Sequence, residues 1–208
     1  MGIPVLILGE SGSGKSTSLR NFDIAEVGIF NVAGKPLPFR KKLNKVDNAT
    51  YNSILKILKN PGLKKYVIDD SQYLMAFESF DHAKETGYGK FTNMALNFRN
   101  LINFVVKETP SDVIVYFLHH TEKGEDGKLK AKTLGKMLDN QLTVEGLFSI
   151  VLLCQVEGSE HFFVTNSDGT NPAKSPMEMF EMRIPNDLKL VDNAIREYWE
   201  LGGEQENG

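Results

Sequence analysis

The sequence predicts an α/β fold in which helices cover both faces of a mostly parallel sheet. Short, continuously apolar runs alternate with amphipathic stretches along the 208 residues, as strands and helices do in parallel sheets. Two neighbouring runs near the carboxyl end, FSIVLLCQV at 148–156 and HFFVT at 161–165, instead predict a hairpin across Glu157-Gly158-Ser159. The expected architecture is therefore a parallel core with a C-terminal β-hairpin.

Three apolar runs in the first part of the chain predict buried strands, over 3–8, 27–32 and 66–70. A helix is expected over 15–21, directly after the first run. Asp47 or Asn48 is predicted to cap a second helix, because apolar residues then recur at helical spacing until Pro61 ends the pattern. Strands and helices thus alternate, as a parallel sheet requires.

The middle and the end of the chain continue this alternation. Amphipathic stretches predict helices over 72–85, 92–108, 135–147 and 188–200. A buried strand is predicted over 113–118, and the polar run KGEDGK at 123–128 can close a hairpin. The acidic, glycine-rich end over 202–208 is expected to be disordered, which leaves a single domain over 1–201.

A glycine-rich loop follows the first predicted strand and matches the pattern GxxxxGK(S/T) over 9–16. Glycines in such a loop let consecutive backbone N–H groups turn inward and form a concave site for anions. Lys15 is expected to reach the β and γ phosphates of a nucleotide, and the Ser16 hydroxyl to bind Mg²⁺. The flanking strand and helix disfavour the alternative of a turn without a ligand. The predicted nucleotide-binding residues are Gly9, Glu10, Ser11, Gly12, Ser13, Gly14, Lys15, Ser16 and Thr17.

Two acids end the strand predicted over 66–70, where a buried strand meets solvent. A magnesium-dependent phosphate loop needs a carboxylate at the end of another strand, and Asp69 is the candidate for holding the hydration shell of the ion. Asp70 is a candidate for orienting or deprotonating the attacking water. Alternatively, the acid pair only begins the next helix.

The strand predicted over 113–118 runs into His119-His120-Thr121. In P-loop ATPases with an inserted strand, that strand lies between the P-loop strand and the acid-bearing one, so its end points at the γ phosphate. His119 is accordingly a candidate catalytic residue that senses the loss of this phosphate. Loop histidines without such a role are the alternative.

Together, GESGSGKS, YVIDD, IVYFLHHT and the closing stretch from AKSPMEMF to NDLKLVDNAIREYW resemble the small RecA-like P-loop ATPases of bacteriophages. The resemblance implies a RecA-like P-loop core that uses ATP and magnesium in DNA recombination, replication or single-strand annealing. It implies single-stranded DNA as a partner, assembly into homo-oligomeric rings or filaments, and an association with a single-strand-binding protein.

The resemblance also implies a lysine that acts in trans on the site of a neighbouring subunit. Lys174, in the loop GTNPAKSP, is the candidate, and Lys132 and Arg196 are its rivals. The chain departs from the RecA-like pattern in one respect. A catalytic glutamate is expected at the end of the second strand, where this chain has Asn31-Val32. Either Asp70 takes that role or hydrolysis is slow.

The formal net charge of −3 hides an uneven distribution. Residues 35–65 are rich in lysine and contain a single acid, whereas the chain beyond Glu178 is mainly acidic. The basic segment can follow a phosphate backbone through counterion release, and a solvated surface is the alternative. The predicted DNA contacts are Arg40, Lys41, Lys42 and Lys45.

The single cysteine, Cys154, lies in an apolar run and cannot form an internal disulfide. No apolar run approaches the ~20 residues that a membrane-spanning helix needs. We therefore expect a cytoplasmic protein without a membrane partner, in the bacterial host if a phage encodes it.

Three functions remain open from the sequence. A DNA-dependent ATPase is the expected one. A P-loop nucleotide kinase would need an arginine-rich lid, whereas the loop 122–136 contains lysines and no arginine. A nucleotide-gated adaptor with little hydrolysis is favoured by the absent glutamate.

Overall fold

Parallel strands form the centre of the molecule in a computed structural model that describes residues 1–84, 89–134 and 143–202. The strands within these residues are β1 (Ile3–Gly9), β2 (Gly28–Asn31), β3 (Lys45–Asp47), β4 (Lys65–Asp69), β5 (Ile114–Lys123), β6 (Leu129–Ala131), β7 (Ile150–Glu157), β8 (Glu160–Val164) and β9 (Arg183–Pro185). Their order in the sheet is β3-β2-β4-β5-β1-β7-β8-β9, with β6 attached to β5. Every pair from β3 to β7 in this order is parallel, which confirms the predicted mostly parallel α/β sheet.

Antiparallel pairs extend the sheet at two places. β6 pairs with the end of β5, where Thr121 lies opposite Ala131, and closes the hairpin predicted from the polar run 123–128. β8 pairs with β7, where Cys154 lies opposite Phe163, and forms the predicted C-terminal hairpin. β9 is added to β8 as an edge strand.

The strand β5 lies between β1, which leads into the glycine-rich loop, and β4, which ends in the acid pair. Gly9 is in register with His120, and Ile68 with Phe117. The carboxyl ends of these three parallel strands therefore meet at one edge of the sheet. In open α/β sheets, ligands bind at this edge.

Helices cover both faces of the sheet. The α-helices that the structure describes are α1 (Tyr51–Leu58), α2 (Tyr73–Asp81), α3 (Gly89–Glu108) and α4 (Leu188–Tyr198). Leu6 and Leu8 of β1 belong to the core beneath α1, α2 and α3, whereas Val5 and Ile7 belong to the core beneath α4. This alternation is expected of a strand that is buried on both faces. Among the described residues, no helix combines the length and apolar character needed to cross a bilayer.

One helix differs from its prediction in type and length, and the cap predicted for another helix is wrong. A 3₁₀ helix, Ser16–Leu19, stands where a helix over 15–21 was expected. Consecutive hydroxyl residues weaken this helix because they compete for backbone groups, as Ser18 Oγ does by donating to Lys15 O at 2.6 Å. Thr50, and neither Asp47 nor Asn48, caps α1 through a capping box with Ser53, while Asp47 ends β3.

Other boundaries differ from the prediction by a few residues. The strand predicted over 113–118 continues to Lys123, α2 ends at Asp81, α3 begins at Gly89 and α4 ends at Tyr198. β3 and β9 were not predicted, because three residues are too few for a periodic signal. The helix predicted over 135–147 falls mostly outside the described residues, and its described end, Val144–Leu147, is a 3₁₀ helix. The tail beyond 202 also lies outside them.

A buried ionic network fastens α4 to the sheet. The Asp192 carboxylate is fully buried and accepts hydrogen bonds from Tyr116 Oη at 2.8 Å and Arg196 Nε at 2.8 Å. Lys65 Nζ lies 3.0 Å from the same carboxylate. Arg196 also donates to the backbone carbonyls of Asp112 and Lys64, which precede β5 and β4. The network therefore ties α4 to the amino-terminal edge of the sheet, opposite the edge that carries the glycine-rich loop.

Candidate nucleotide-binding site

The glycine-rich loop needs its glycines for backbone geometry. Gly12 and Gly14 have φ angles of 81° and 102°, in the region that side chains with a Cβ rarely adopt. A Cβ on Gly14 would also come within 2.8 Å of His161 Nδ1. Among the described residues, the backbone N–H groups of Gly12, Gly14 and Lys15 donate to no protein acceptor. These donors are therefore free to receive an anion, as a phosphate loop requires.

Lys15 folds back over its own loop. Its Nζ donates to Gly9 O at 2.8 Å and to Glu10 O at 2.9 Å. Burial lowers the pKa of Lys15, and the nearby carboxylates of Asp69 and Asp70 oppose that shift. A phosphate group in the cleft would compete with these two carbonyl oxygens for the Lys15 ammonium group.

The C-terminal hairpin holds the glycine-rich loop through hydrogen bonds to the carbonyl of Ser13. The carbonyl of Ser13 accepts hydrogen bonds from Cys154 Sγ at 3.0 Å and from His161 Nδ1 at 2.7 Å. Asn186 Nδ2 donates in turn to Cys154 Sγ at 3.1 Å. Cys154 is buried, as expected, and burial raises the pKa of its thiol to about 11, so the S–H donor persists at neutral pH. These contacts fix the direction of the Ser13–Gly14 peptide.

The predicted magnesium ligands lie together. Ser16 Oγ donates to Asp69 Oδ1 at 2.7 Å. Burial raises the pKa of Asp69, and the hydrogen bond from Ser16 opposes this shift. Among the described residues, no group of three or more His, Cys, Asp or Glu side chains could hold a metal ion. A P-loop magnesium does not need such a group, because it takes most of its ligands from phosphate oxygens and water.

Asp70 is held by two basic side chains in a strained backbone conformation. Its φ angle is 59°, which costs a non-glycine residue on the order of 1–3 kcal/mol. Lys35 Nζ donates to Asp70 Oδ2 at 2.8 Å, and His120 Nε2 lies 3.3 Å from Oδ1. Burial would raise the pKa of Asp70, but these two hydrogen bonds outweigh it and lower the pKa to about 2. The carboxylate is therefore ionised at neutral pH.

His119 does not face this site. It is fully buried, its ring centre lies 5.6 Å from that of Phe98, and its Nε2 donates to Lys132 O at 2.8 Å. Its Nδ1 lies 2.9 Å from Ser71 Oγ, and burial lowers the pKa of its imidazole to about 4. His119 therefore does not occupy the position predicted for it, and His120, the next residue, is the histidine that lies beside Asp70.

These groups surround one cleft of about 240 Å³. It is lined by Ser11, Gly12, Gly14, Lys15, Ser16, Thr17, Lys35, Pro36, Pro38, Asp69, Asp70 and His120. A larger cavity of about 660 Å³ shares Ser11 and Gly12 with the cleft and extends toward Gln155 and Phe162. Residues of the glycine-rich loop therefore line both spaces.

The three candidates for action in trans do not line this cleft. Lys174 exchanges two backbone hydrogen bonds of 2.8 Å with Val151, within the sheet. Arg196 is committed to the Asp192 network at the opposite edge. Lys132 contributes its carbonyl to His119. Lys174 does not line the cleft of its own chain, and its predicted action on a neighbouring chain stays a prediction.

The predicted DNA contacts are exposed, but they are not equivalent. Lys41 pairs with Asp23 at 2.8 Å, and Lys45 pairs with Asp47. Arg40 and Lys42 are exposed and have no ion pair in the part of the chain that the structure describes. Two of the four candidates are therefore available to an external anion without breaking an existing pair.

Sequence reasoning missed Lys35, His120 and His161 as parts of the site. Lys35 was assigned to the basic segment, and only the fold shows that it reaches Asp70.

A second nucleotide-binding pattern in the sequence does not lie near the cleft. Asn44-Lys45-Val46-Asp47 matches the NKxD pattern that recognises guanine in GTPases. It occupies the edge strand β3, four strand spacings or roughly 19 Å from β1. It therefore lies far from the glycine-rich loop.

Two comparisons with known proteins gave no relative of this chain. Neither the protein-family models nor the curated proteins contain a match. The function is accordingly inferred from the residues of the cleft.

Proposed function

We propose that the protein binds ATP with magnesium in the cleft beside the glycine-rich loop and hydrolyses it in a DNA-dependent manner. The 2.7 Å hydrogen bond between Ser16 and Asp69 carries the proposal. It joins a hydroxyl and a carboxylate that follow two different strands, and these are the two kinds of group with which a P-loop enzyme holds magnesium. The backbone donors of the loop and Lys15 lie beside this pair.

The nucleotide would occupy both spaces around the loop. The phosphates fit the smaller cleft, because its free N–H groups and cations favour negative charge. The larger cavity offers room for the nucleoside, with the amide of Gln155 and the ring of Phe162 among its lining groups. Lys15 would exchange its bonds to Gly9 and Glu10 for bonds to phosphate oxygens.

Magnesium would be held by Ser16 directly and by Asp69 through its hydration shell. When bound, the ion neutralises charge on the phosphates. Asp70, whose Oδ1 lies 3.3 Å from His120 Nε2, would accept a hydrogen bond from the attacking water. His120 can then hold Asp70 in position.

A slow ATPase that works as a nucleotide-dependent switch is the second candidate. Buried Asn31 stands at the end of β2, where RecA-like enzymes carry a catalytic glutamate. An amide cannot accept a proton from water. Asp70, the remaining candidate base, is engaged by Lys35. Both observations favour a low basal rate that a partner increases.

The RecA-like assignment and the DNA partner belong to the same proposal. The order β4-β5-β1 supports a RecA-like core, because β5 is inserted between the acid-bearing strand and the P-loop strand. Arg40 and Lys42 are available to single-stranded DNA. Assembly into rings or filaments would bring Lys174 of one subunit to the cleft of another, and a single-strand-binding protein is a further expected partner.

The test is phosphate release from Mg-ATP, measured with and without single-stranded DNA. We expect a low basal rate, strong stimulation by DNA and no activity in Lys15→Ala, which removes the ammonium group at the loop. Lys107→Ala, an exposed lysine at the end of α3, is the matched control and should behave as the wild type. Tight ATP binding without stimulation would favour the switch, and the absence of ATP binding would refute the proposal.

A further inference from the structure

Lys35 reaches the carboxylate beside the glycine-rich loop from the loop that follows β2. Its Nζ donates to Asp70 Oδ2 at 2.8 Å and lies 5.2 Å from the ring centre of Tyr73. The side chain of Lys35 is 58% exposed, whereas that of Asp70 is 12% exposed. The lysine can therefore leave this contact without disturbing the core, while the carboxylate stays in place.

The backbone of Lys35 is fixed at the rim of the cleft. Buried Asn31 donates from Nδ2 to Lys35 O at 2.6 Å and to Asp47 Oδ1 at 2.5 Å. Pro36 follows directly, and its ring limits the backbone angles available there. The end of β2, where a catalytic glutamate was expected, thus anchors a lysine instead. The anchored residue can change partner only by rotating its side chain.

A bound triphosphate would change the partner that Lys35 prefers. The terminal phosphate brings further negative charge close to Asp70, and like charges repel strongly in a partly desolvated cleft. In the proposed complex, Lys15 would already be engaged by the β and γ phosphates. Lys35 also lines the cleft and has a flexible stem with three donors. It can contact the terminal phosphate and so relieve the repulsion.

We propose that Lys35 distinguishes a nucleoside triphosphate from a diphosphate. It pairs with Asp70 when no terminal phosphate is present and moves to that phosphate when a triphosphate binds. Asp70 is then free to hold the attacking water, so the cation that blocks the carboxylate is removed by the substrate itself. The inference rests on the proposed function and adds a residue that sets its specificity for triphosphates.

The test is the affinity of the wild type and four variants for Mg-ATP and Mg-ADP, measured by calorimetry. Lys35→Ala should weaken ATP binding about ten-fold or more, because a charge-assisted hydrogen bond is lost, and ADP binding less than about three-fold. Asp70→Asn should tighten ATP binding several-fold, because it removes the competing partner, and asparagine tolerates the positive φ. Lys107→Ala is the matched control, since Lys107 is an exposed lysine at the end of α3 that does not line the cleft.

The double variant Lys35→Ala/Asp70→Asn separates phosphate binding from simple neutralisation of Asp70. If Lys35 contacts the phosphate, this variant binds ATP about ten-fold more weakly than Asp70→Asn alone. Equal affinity of the double variant and Asp70→Asn overturns the inference, as do equal losses for ATP and ADP in Lys35→Ala. A wild type that binds neither nucleotide refutes the proposed function as well, which distinguishes the two failures.

Discussion

The Ser16 hydroxyl donates a 2.7 Å hydrogen bond to the Asp69 carboxylate, although 53 positions separate the two residues. β5 lies between the strands that lead to them, so neither strand pairing nor chain proximity produces this contact. The loop and the acid meet because both follow the carboxyl ends of parallel strands. The contact is the point where the proposed magnesium site can be tested most directly.

Magnesium-dependent ATP binding should fail at acid pH because of Asp69. Burial raises the pKa of this carboxyl above its ordinary 3.8, so protonation begins at a higher pH than for an exposed aspartate. The protonated form no longer holds the hydrated ion, and the affinity for Mg-ATP falls as the pH falls through the raised pKa. Calorimetry across this range should show that Asp69→Asn lacks this loss and binds weakly throughout.

ATP itself binds protons in part of this range, so the pH profile is compared between variants. Asp126→Asn, an exposed substitution in the loop between β5 and β6, should reproduce the wild-type profile. If Asp69→Asn showed the same acid-dependent loss as the wild type, Asp69 would not hold the ion.

Gly14→Ala should abolish nucleotide binding and leave most of the fold intact. Its φ angle of 102° strains any residue with a Cβ, and the new Cβ would come within 2.8 Å of His161 Nδ1. The peptide that presents the phosphate-binding N–H groups must then shift. Gly62→Ala is the matched control, because nothing lies within 4 Å of its Cβ position and its φ is not positive. ATP affinity near the wild-type value in Gly14→Ala would contradict the assigned loop geometry.

Asp192→Ala should destabilise the protein by about 3–5 kcal/mol, because it leaves Lys65 and Arg196 without their buried partner. Tyr116→Phe removes a single hydrogen bond to the same carboxylate and should cost about 1.5–3 kcal/mol. Urea unfolding measures both. Because the network lies at the edge of the sheet opposite the cleft, ATP affinity of the folded Tyr116→Phe variant should not change, and a large change would show that the two edges are coupled.

The salt dependence of DNA binding should identify the residues that contact phosphates. Each lost phosphate contact lowers the slope of log affinity against log salt by roughly 0.7 for single strands. Arg40→Ala and Lys42→Ala should each reduce the slope by about this amount. Lys41→Ala should have a smaller effect, because Lys41 pairs with Asp23. An unchanged slope in Arg40→Ala/Lys42→Ala would exclude this segment as the DNA contact.

Long apolar runs predicted the central strands, whereas the short edge strands escaped prediction. β1, β4, β5 and β7 are buried on both faces, so each appears as an uninterrupted apolar run. β3 is exposed along its whole length, and β9 contains Pro185. Their residues form strands only because a neighbouring strand offers an unpaired edge, which the sequence does not display.

Local sequence patterns do not tell which of His119 and His120 faces the cleft. Successive side chains of a strand point to opposite faces, so one histidine of the pair must face the helices and the other the cleft. Only the packing of the folded chain determines the two orientations. His119 lies against Phe98 of α3, and His120 lies beside Asp70.

The sequence by itself determined the glycine-rich loop with Lys15 and Ser16, the strand that ends in Asp69 and Asp70, and the alternation of strands and helices. Each of these is a local pattern, because loop geometry and burial act on neighbouring residues. Only the tertiary structure decided that Lys35 and His120 hold Asp70 and that the C-terminal hairpin supports the loop from behind. These contacts join residues far apart in the chain, and their partners are fixed by strand order and register, which no local pattern encodes.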